Sequence, residues 1–185
     1  MTNDISNDTE LMTRLAKGDM AALGDIVKRN QDRILSLSYR ILKDWHRAED
    51  VTQETFLRVY KAAKHYKPKA RFSTWLYRIA INLCFDEQRK RARAAVQLGE
   101  AAPAVLAESD RDAAERKEVV ESVKTAVNEL PERQRLAVIL HRYEGLSHTE
   151  IAEVTGWTQS AVESLLVRAY ANLREKLNKM KYFDE

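Results

Sequence analysis

A short segment of the chain combines positive charge with aromatic rings. It runs from Tyr66 to Trp75, and its bases and aromatic residues are Tyr66, Lys67, Lys69, Arg71, Phe72 and Trp75. This mixture is typical of surfaces that hold single-stranded nucleic acid, because cations follow the phosphates and rings stack on unpaired bases. Asn82 follows two helical turns after Trp75, and its amide could hydrogen-bond to the edge of an extruded base. An aromatic core stripe beside a solvated charge run explains the same residues equally well.

A second motif lies near the C-terminal end. Ser147 and Glu150 have the spacing of a capping box, which predicts the start of a helix. Ala152, Gly156 and Val162 follow at spacings that suit the crossing residue, the tight turn and the apolar anchor of a helix-turn-helix. The second helix would present side chains that can reach base edges in a major groove: Gln159, Ser160, Glu163, Ser164, Val167 and Arg168. A helical pair that serves protein packing alone is the alternative, and the scarcity of bases on this face argues against strong unaided binding.

Helical periodicity positions both motifs. Asp8, Asp19 and Asp44 are predicted to cap three successive helices, because each precedes apolar residues that recur at three and four. The stretch from His65 to Phe72 loses this period and is predicted to be a loop. Ser73 is then predicted to cap a helix that buries Trp75, Leu76, Ile79, Ala80 and Leu83 and continues into a basic tail.

Charge is segregated along the 185 residues, although the net charge is only +3. Residues 61–93 hold ten bases and two acids, whereas residues 94–115 hold five acids and one base. The second stretch has few large apolar groups, so it is predicted to be a flexible linker. The sequence therefore predicts an all-α protein with two small helical domains, 1–94 and 116–185, joined by a linker at 95–115.

The sequence contains no pattern of residues typical of an enzyme active site or a metal site. The four histidines, His46, His65, His141 and His148, show no ligand spacing, and no cofactor is predicted. Cys84 lies between apolar neighbours without an evident base, so an inert core thiol is expected. The longest aliphatic run, 136–140, is far too short to cross a bilayer, and no membrane insertion is expected. A reducing cytoplasm is the expected compartment.

The chain resembles the extracytoplasmic-function (ECF) sigma factors of bacterial RNA polymerase over nearly its whole length. In the first half the resemblance rests on 50–56, DVTQETF, and on 72–82, FSTWLYRIAIN. In the second half it rests on 130–135, LPERQR, and on the stretch from Tyr143 through Arg168. The resemblance implies a dissociable initiation subunit that binds core polymerase, recognises the −10 and −35 promoter elements and promotes DNA melting.

The resemblance also implies roles for individual residues. Contact with the β′ clamp helices of core polymerase is expected from Asp50, Gln53, Glu54 and Phe56. Contact with the single-stranded −10 element is expected from Lys67, Lys69, Arg71, Phe72, Ser73, Trp75, Asn82, Asp86, Arg89 and Lys90. The helix 159–168 is expected to recognise the duplex −35 element, with the second domain meeting the β flap. The family further implies an anti-sigma factor as a partner.

Three other classes of protein are weighed against this hypothesis. A conventional repressor or activator would use the C-terminal module as a dimer on a palindrome and would need no polymerase. A helical adaptor would not touch nucleic acid at all. An enzyme is the weakest alternative, since no catalytic constellation is evident.

Overall fold

The computed structural model describes residues 3–67, 71–98 and 114–179, with side chains at 8–67, 71–94 and 120–179. Its helices are α1 (Asn3–Ala16), α2 (Met20–Leu42), α3 (Trp45–Ala62), α4 (Phe72–Leu98), α5 (Ala114–Asn128), α6 (Glu132–Val138), α7 (His148–Thr155) and α8 (Gln159–Lys179). These residues include no strand, and the predicted all-α class is confirmed. The chain divides into two compact units, Met1–Val105 and Leu106–Glu185. Lys69 and residues 99–113 of the predicted linker lie outside the described residues. The described ends of that linker are helical, since α4 extends to Leu98 and α5 begins at Ala114.

Helix boundaries in the first unit follow local capping chemistry. The Asp19 side chain accepts from the amide of Ala21 at 3.0 Å, and the Asp44 side chain accepts from the amide of Arg47 at 3.2 Å. Both predicted caps are therefore confirmed. Gly18 has φ +94, a left-handed conformation that favours glycine, and it lies in the predicted break after α1.

Two predicted caps are wrong. Asp8 lies inside α1, which begins at Asn3. Ser73 lies inside α4, which begins at Phe72, and the amide of Trp75 donates to the carbonyl of Arg71 at 3.1 Å. The Phe72 side chain is only 2% exposed, so burial of this ring draws it into the first turn of the helix.

Helix α4 is the central element of the first unit. It packs against α2 and α3, while α1 packs against α2. Leu76, Ala80 and Leu83 are buried as predicted, whereas Trp75 and Ile79 are only half-buried. Three residues outside the predicted stripe, Tyr77, Ile81 and Cys84, are buried as well. A helix with neighbours on several sides buries residues beyond a single amphipathic face.

The second unit is built around a buried apolar run. All five residues from Leu136 to Leu140 are buried, across the end of α6 and the start of a π-helical turn, Ile139–Tyr143. Pro131 directly precedes α6, as predicted, and Gly145 ends the segment at φ +68. Helix α8 packs against α5, α6 and α7.

Candidate nucleic-acid interfaces

Three aromatic rings pack together at the two ends of residues 67–71, which we call the cationic loop. The ring centroids of Tyr66 and Trp75 are 4.9 Å apart, those of Phe72 and Trp75 5.8 Å, and those of Tyr66 and Phe72 6.2 Å. Burial raises the pKa of the Tyr66 hydroxyl. The cluster therefore anchors both ends of the loop to the first unit.

The described basic residues of this segment are more exposed to solvent than its aromatic residues. Lys67 and Arg71 are exposed, whereas Phe72 is buried and Trp75 is half-buried. The interpretation as a core stripe thus fits Phe72, whereas Trp75 and the half-buried Tyr66 keep part of their surface accessible. The structure brings the two described cations to the rim of the aromatic cluster.

The outer face of α4 continues this positive surface. Asn82 is exposed, and Arg78 and Arg89 lie near it at helical spacings of four and seven. Sequence reasoning missed Arg78 as a site residue, although its distance of four residues from Asn82 is a detectable signal. Lys90 and Arg93 are also exposed.

Both acids on this part of α4 are paired with bases. Asp86 accepts from Arg89 in an ion pair, while Glu87 lies 3.4 Å from Arg47 of α3 and 3.6 Å from Lys90. The pairing offsets their negative charge locally. The outer face of α4 can therefore still accommodate a phosphate backbone.

The candidate polymerase-binding residues of α3 divide between surface and core. Asp50 and Gln53 are exposed, and Glu54 accepts from Arg58 at 3.0 Å. Phe56 is 7% exposed and packs within its own unit. Helix α3 exposes three large apolar side chains, Trp45 at its start and Leu57 and Tyr60 towards its end. Leu57 and Tyr60 share a face with Gln53, and sequence reasoning did not select them as site residues.

The helix-turn-helix has the local chemistry that its sequence predicts. The amide of Glu150 donates to Ser147 Oγ at 3.2 Å, and the amide of Ser147 donates to Glu150 Oε2 at 2.9 Å, which completes the capping box. Gly156 ends α7 at φ +75. The amide of Ala161 donates to Thr158 Oγ1 at 3.2 Å, so Thr158 caps α8.

Helix α8 has one buried and one exposed face. Val162, Leu166 and Ala169 are buried, and Leu165 is half-buried. All six predicted −35 residues lie on the remaining surface: Gln159, Ser160, Glu163, Val167 and Arg168 are exposed and Ser164 is half-buried. The face is therefore open to a ligand along its first three turns.

Polar contacts hold one acid on this exposed face. Gln159 Nε2 donates to Glu163 Oε1 at 3.2 Å, and Thr149 Oγ1 donates to Gln159 Oε1 at 3.5 Å. His148 Nδ1 lies 3.7 Å from Glu163 Oε1. Gln159 thus holds the Glu163 carboxylate from the same helix, and His148 of α7 lies beside it.

The part of the chain that the structure describes offers no metal site, reactive thiol or membrane-spanning helix. No cluster of His, Cys, Asp and Glu side chains among these residues could hold a metal ion. Burial raises the pKa of the Cys84 thiol to about 12, as expected for an inert core cysteine. None of the described helices is both long enough and apolar enough to span a membrane.

Two family models match the chain. Residues 26–94 match Sigma-70 region 2, and residues 121–173 match Sigma-70, region 4. These matches cover the α4 face in the first unit and the helix-turn-helix in the second. The fold and the two surfaces define the class of protein as a sigma-70-type initiation factor.

Similarity to curated proteins narrows the class. The chain is 34% identical over 177 residues to the ECF RNA polymerase sigma factor SigW of Bacillus subtilis, covering 89% of this chain and 93% of SigW. It is 34% identical over 183 residues to the RNA polymerase sigma-H factor of Pseudomonas aeruginosa, covering 93% and 92%. The chain therefore belongs to the ECF RNA polymerase sigma factors. It is an alternative sigma factor that acts in transcription initiation.

Solved structures share the fold. CnrH, in complex with the cytosolic domain of CnrY, aligns with a TM-score of 0.69 at 25% identity, covering 94% of this chain and 98% of CnrH. RpoE from Bartonella quintana, in complex with the anti-sigma factor NepR, aligns with a TM-score of 0.70 at 20% identity, covering 88% and 98%. Sigma factors thus provide structural counterparts for both helical units.

Proposed function

We propose that the two units of this sigma factor bind two different forms of promoter DNA. Residues 1–94 contact core polymerase and the single-stranded −10 element, residues 116–185 contact the duplex −35 element, and residues 95–115 connect them. The single observation that carries this proposal is the positive face of α4, where Asn82 is exposed beside Arg78 and Arg89 and close in sequence to Lys67 and Arg71.

The −10 site combines an anchored rim with exposed cations. The aromatic cluster fixes the ends of the loop, and the side chains of Lys67 and Arg71 face solvent, where phosphates can reach them. Trp75 offers the accessible part of its ring for stacking, and Ser73 and Asn82 offer polar groups. Phe72 supports these residues from the core. Lys69, which the resemblance also assigns to this site, lies outside the described residues.

Core polymerase binds the exposed face of α3. Gln53, Leu57 and Tyr60 combine one amide with two accessible apolar side chains, and Asp50 lies one turn before Gln53. An apolar centre with polar neighbours is typical of a protein–protein interface. We assign this face to the β′ clamp helices and the second unit to the β flap.

Promoter opening needs no hydrolytic activity in this chain. Energy gained when an unpaired base enters the −10 site offsets the cost of unstacking it. Tethering makes the second and third contacts effectively intramolecular, so several weak contacts give stable binding. The protein therefore acts without enzymatic activity and works in the cytoplasm, where the polymerase is.

An anti-sigma factor holds this protein inactive until it is needed. RpoE of Bartonella quintana was solved with its anti-sigma factor NepR, and we extend that class of partner to this chain. The exposed Leu57 and Tyr60 give such a partner an apolar surface to cover.

Transcription with purified components tests the proposal. Core polymerase with the full chain should give transcripts from a limited set of genomic sites, and sequencing their 5′ ends should reveal shared −10 and −35 elements. Core polymerase alone is the control. A chain that binds core polymerase yet yields no transcript from any genomic template would contradict the proposal. Dimers that bind a palindrome without polymerase would favour the conventional repressor instead.

A further inference from the structure

An acidic side chain lies in the middle of the surface that we assign to the −35 element. Glu163 is the fifth residue of α8, its side chain is 51% exposed, and it shares a face with Gln159 and Val167. DNA carries about one negative charge for each 1.7 Å of its axis, so a carboxylate on this face is repelled by the phosphates. Such a residue is compatible with binding if it reaches a hydrogen-bond donor on a base edge.

The structure holds this carboxylate in place. Gln159 donates to Glu163 Oε1 from one turn earlier on the same helix, and His148 approaches the same oxygen from α7. Thr149 in turn holds Gln159. Because Oε1 accepts from Gln159, Oε2 of this half-exposed side chain is the oxygen that can accept from a ligand.

The chemistry of the major groove selects one base. Cytosine presents the N4 amino group, which is a donor, and adenine presents the N6 amino group beside the N7 acceptor. A carboxylate accepts from either amino group, but N7 places a second acceptor next to it and repels it. Guanine and thymine present acceptors and a methyl group to the groove.

We infer that Glu163 recognises a cytosine at one position of the −35 element by accepting a hydrogen bond from its N4 amino group. Gln159, which donates to Oε1, is the positioning residue for this contact. The inference rests on the proposed function, since it requires that α8 enters the major groove. The inference adds the identity of the base that this chain recognises at one position of the −35 element.

A promoter library tests the inference. The full chain with core polymerase transcribes templates whose −35 region is randomised and whose −10 element is fixed, and the enriched sequences are counted. For the unaltered chain we expect one position where cytosine exceeds each other base by about tenfold, the discrimination typical of a specific base contact. Glu163→Ala should reduce this preference to within about twofold and leave the other positions unchanged.

A second variant separates base recognition from simple charge removal. Glu163→Gln keeps the length of the side chain and adds an amide donor, which can pair with the N7 and N6 atoms of adenine. The preference at the same position should therefore move from cytosine to adenine. The matched control is Glu175→Gln, which makes the same change on an exposed residue three turns further along α8 and should leave every preference intact.

The outcomes distinguish this inference from the proposed function. If the unaltered chain shows base preferences in the −35 region that Glu163→Ala does not change, the inference is overturned and the proposed function stands. If the unaltered chain shows no −35 preference at all, the proposed role of α8 fails as well. Binding of each variant to core polymerase, measured in parallel, identifies any variant that has lost its fold.

Discussion

The rings of Tyr66 and Trp75 lie 4.9 Å apart although one precedes the cationic loop and the other follows it. This contact closes the loop at its base, and Phe72 completes the cluster from the buried side. Lys67 and Arg71 therefore start from fixed points beside the aromatic cluster, and both residues are exposed there. An anchored rim reduces the entropy that ordering the site on DNA would cost.

Asn82→Ala should impair promoter opening without loss of stability. The side chain is exposed on α4, so its removal leaves the core intact, and alanine favours a helix. We expect about tenfold fewer open complexes, as for the loss of one or two hydrogen bonds to an extruded base. Permanganate footprinting of unpaired thymines measures this effect, and binding to core polymerase should be unchanged.

A matched control for this prediction is Asn178→Ala. Asn178 is an exposed asparagine near the end of α8, in the second unit. Its replacement should leave open-complex formation unchanged. If Asn82→Ala also leaves the footprint unchanged, Asn82 does not contact the extruded base.

Trp75→Ala should lower the stability of the first unit. The half-buried indole packs against Tyr66 and Phe72, so its removal leaves a gap beneath the loop. We expect the free energy of unfolding to fall by about 2 kcal/mol. Urea denaturation measures the loss, and Trp75→Phe, which keeps an aromatic ring, should recover most of it. A variant with unaltered stability would contradict the anchoring role of the cluster.

Lys67→Ala should flatten the salt dependence of promoter binding. Removal of one phosphate contact lowers the slope of log K against log salt concentration by roughly one unit, because one fewer counterion is released. Filter binding of the holoenzyme between low and moderate salt measures this slope. Lys17→Ala, which changes an exposed lysine directly after α1, serves as the control. Equal slopes for the Lys67→Ala variant and the unaltered chain would remove Lys67 from the path of the DNA.

Two glycine substitutions should change stability in opposite directions. An added Cβ would meet no atom within 4 Å at either Gly24 or Gly156, so backbone conformation alone decides the effect. Gly156 ends α7 at φ +75, and Gly156→Ala should cost about 1 kcal/mol. Gly24 lies inside α2, and Gly24→Ala should stabilise by about 0.5 kcal/mol. Urea unfolding of both variants checks the signs, and a destabilised Gly24→Ala would contradict the helical assignment.

Cys84 should resist alkylation in the folded protein. Burial raises the pKa of its thiol to about 12 from the usual 9.0, so at pH 8.5 the folded state holds roughly a thousandfold less thiolate than the unfolded state. Iodoacetamide should label the denatured chain rapidly and the native chain hardly at all. Rapid labelling of the native chain would contradict the burial of Cys84.

The same shift predicts a dependence of stability on alkaline pH. Because the folded-state pKa is raised, the contribution of this thiol is complete below pH 9.0 and is lost as the pH rises from there towards 12. Over that range the unfolded state releases the proton and the folded state retains it. Cys84→Ala should lack this component, so the difference between the two proteins in free energy of unfolding should change between pH 8 and pH 10.

Local chemistry explains which features the sequence predicted. Asp19, Asp44, Ser147 and Gly156 act through hydrogen bonds or φ angles within a few residues of themselves, and all four were predicted in their observed roles. Features that depend on distant neighbours were harder to predict. Ser73 has the composition of a cap, but burial of Phe72 starts the helix earlier.

The candidate sites show the same division. Exposure of the predicted −35 residues follows from helical spacing on α8, which a sequence contains directly. In contrast, Phe56 was expected to contact polymerase but is buried, and Tyr60 is exposed, because of how α3 packs against α2 and α4. The contact of His148 with Glu163 joins two helices, so no local pattern could reveal it.

Along α8, the residues that maintain the fold are distinct from those that face outward. Val162, Leu166 and Ala169 are buried, while Glu163 and Val167 alternate with them on the surface. Exchange of an outward residue therefore leaves folding nearly untouched. A few changes on the outward face can therefore redirect the protein to other promoters while the architecture of the second unit stays the same.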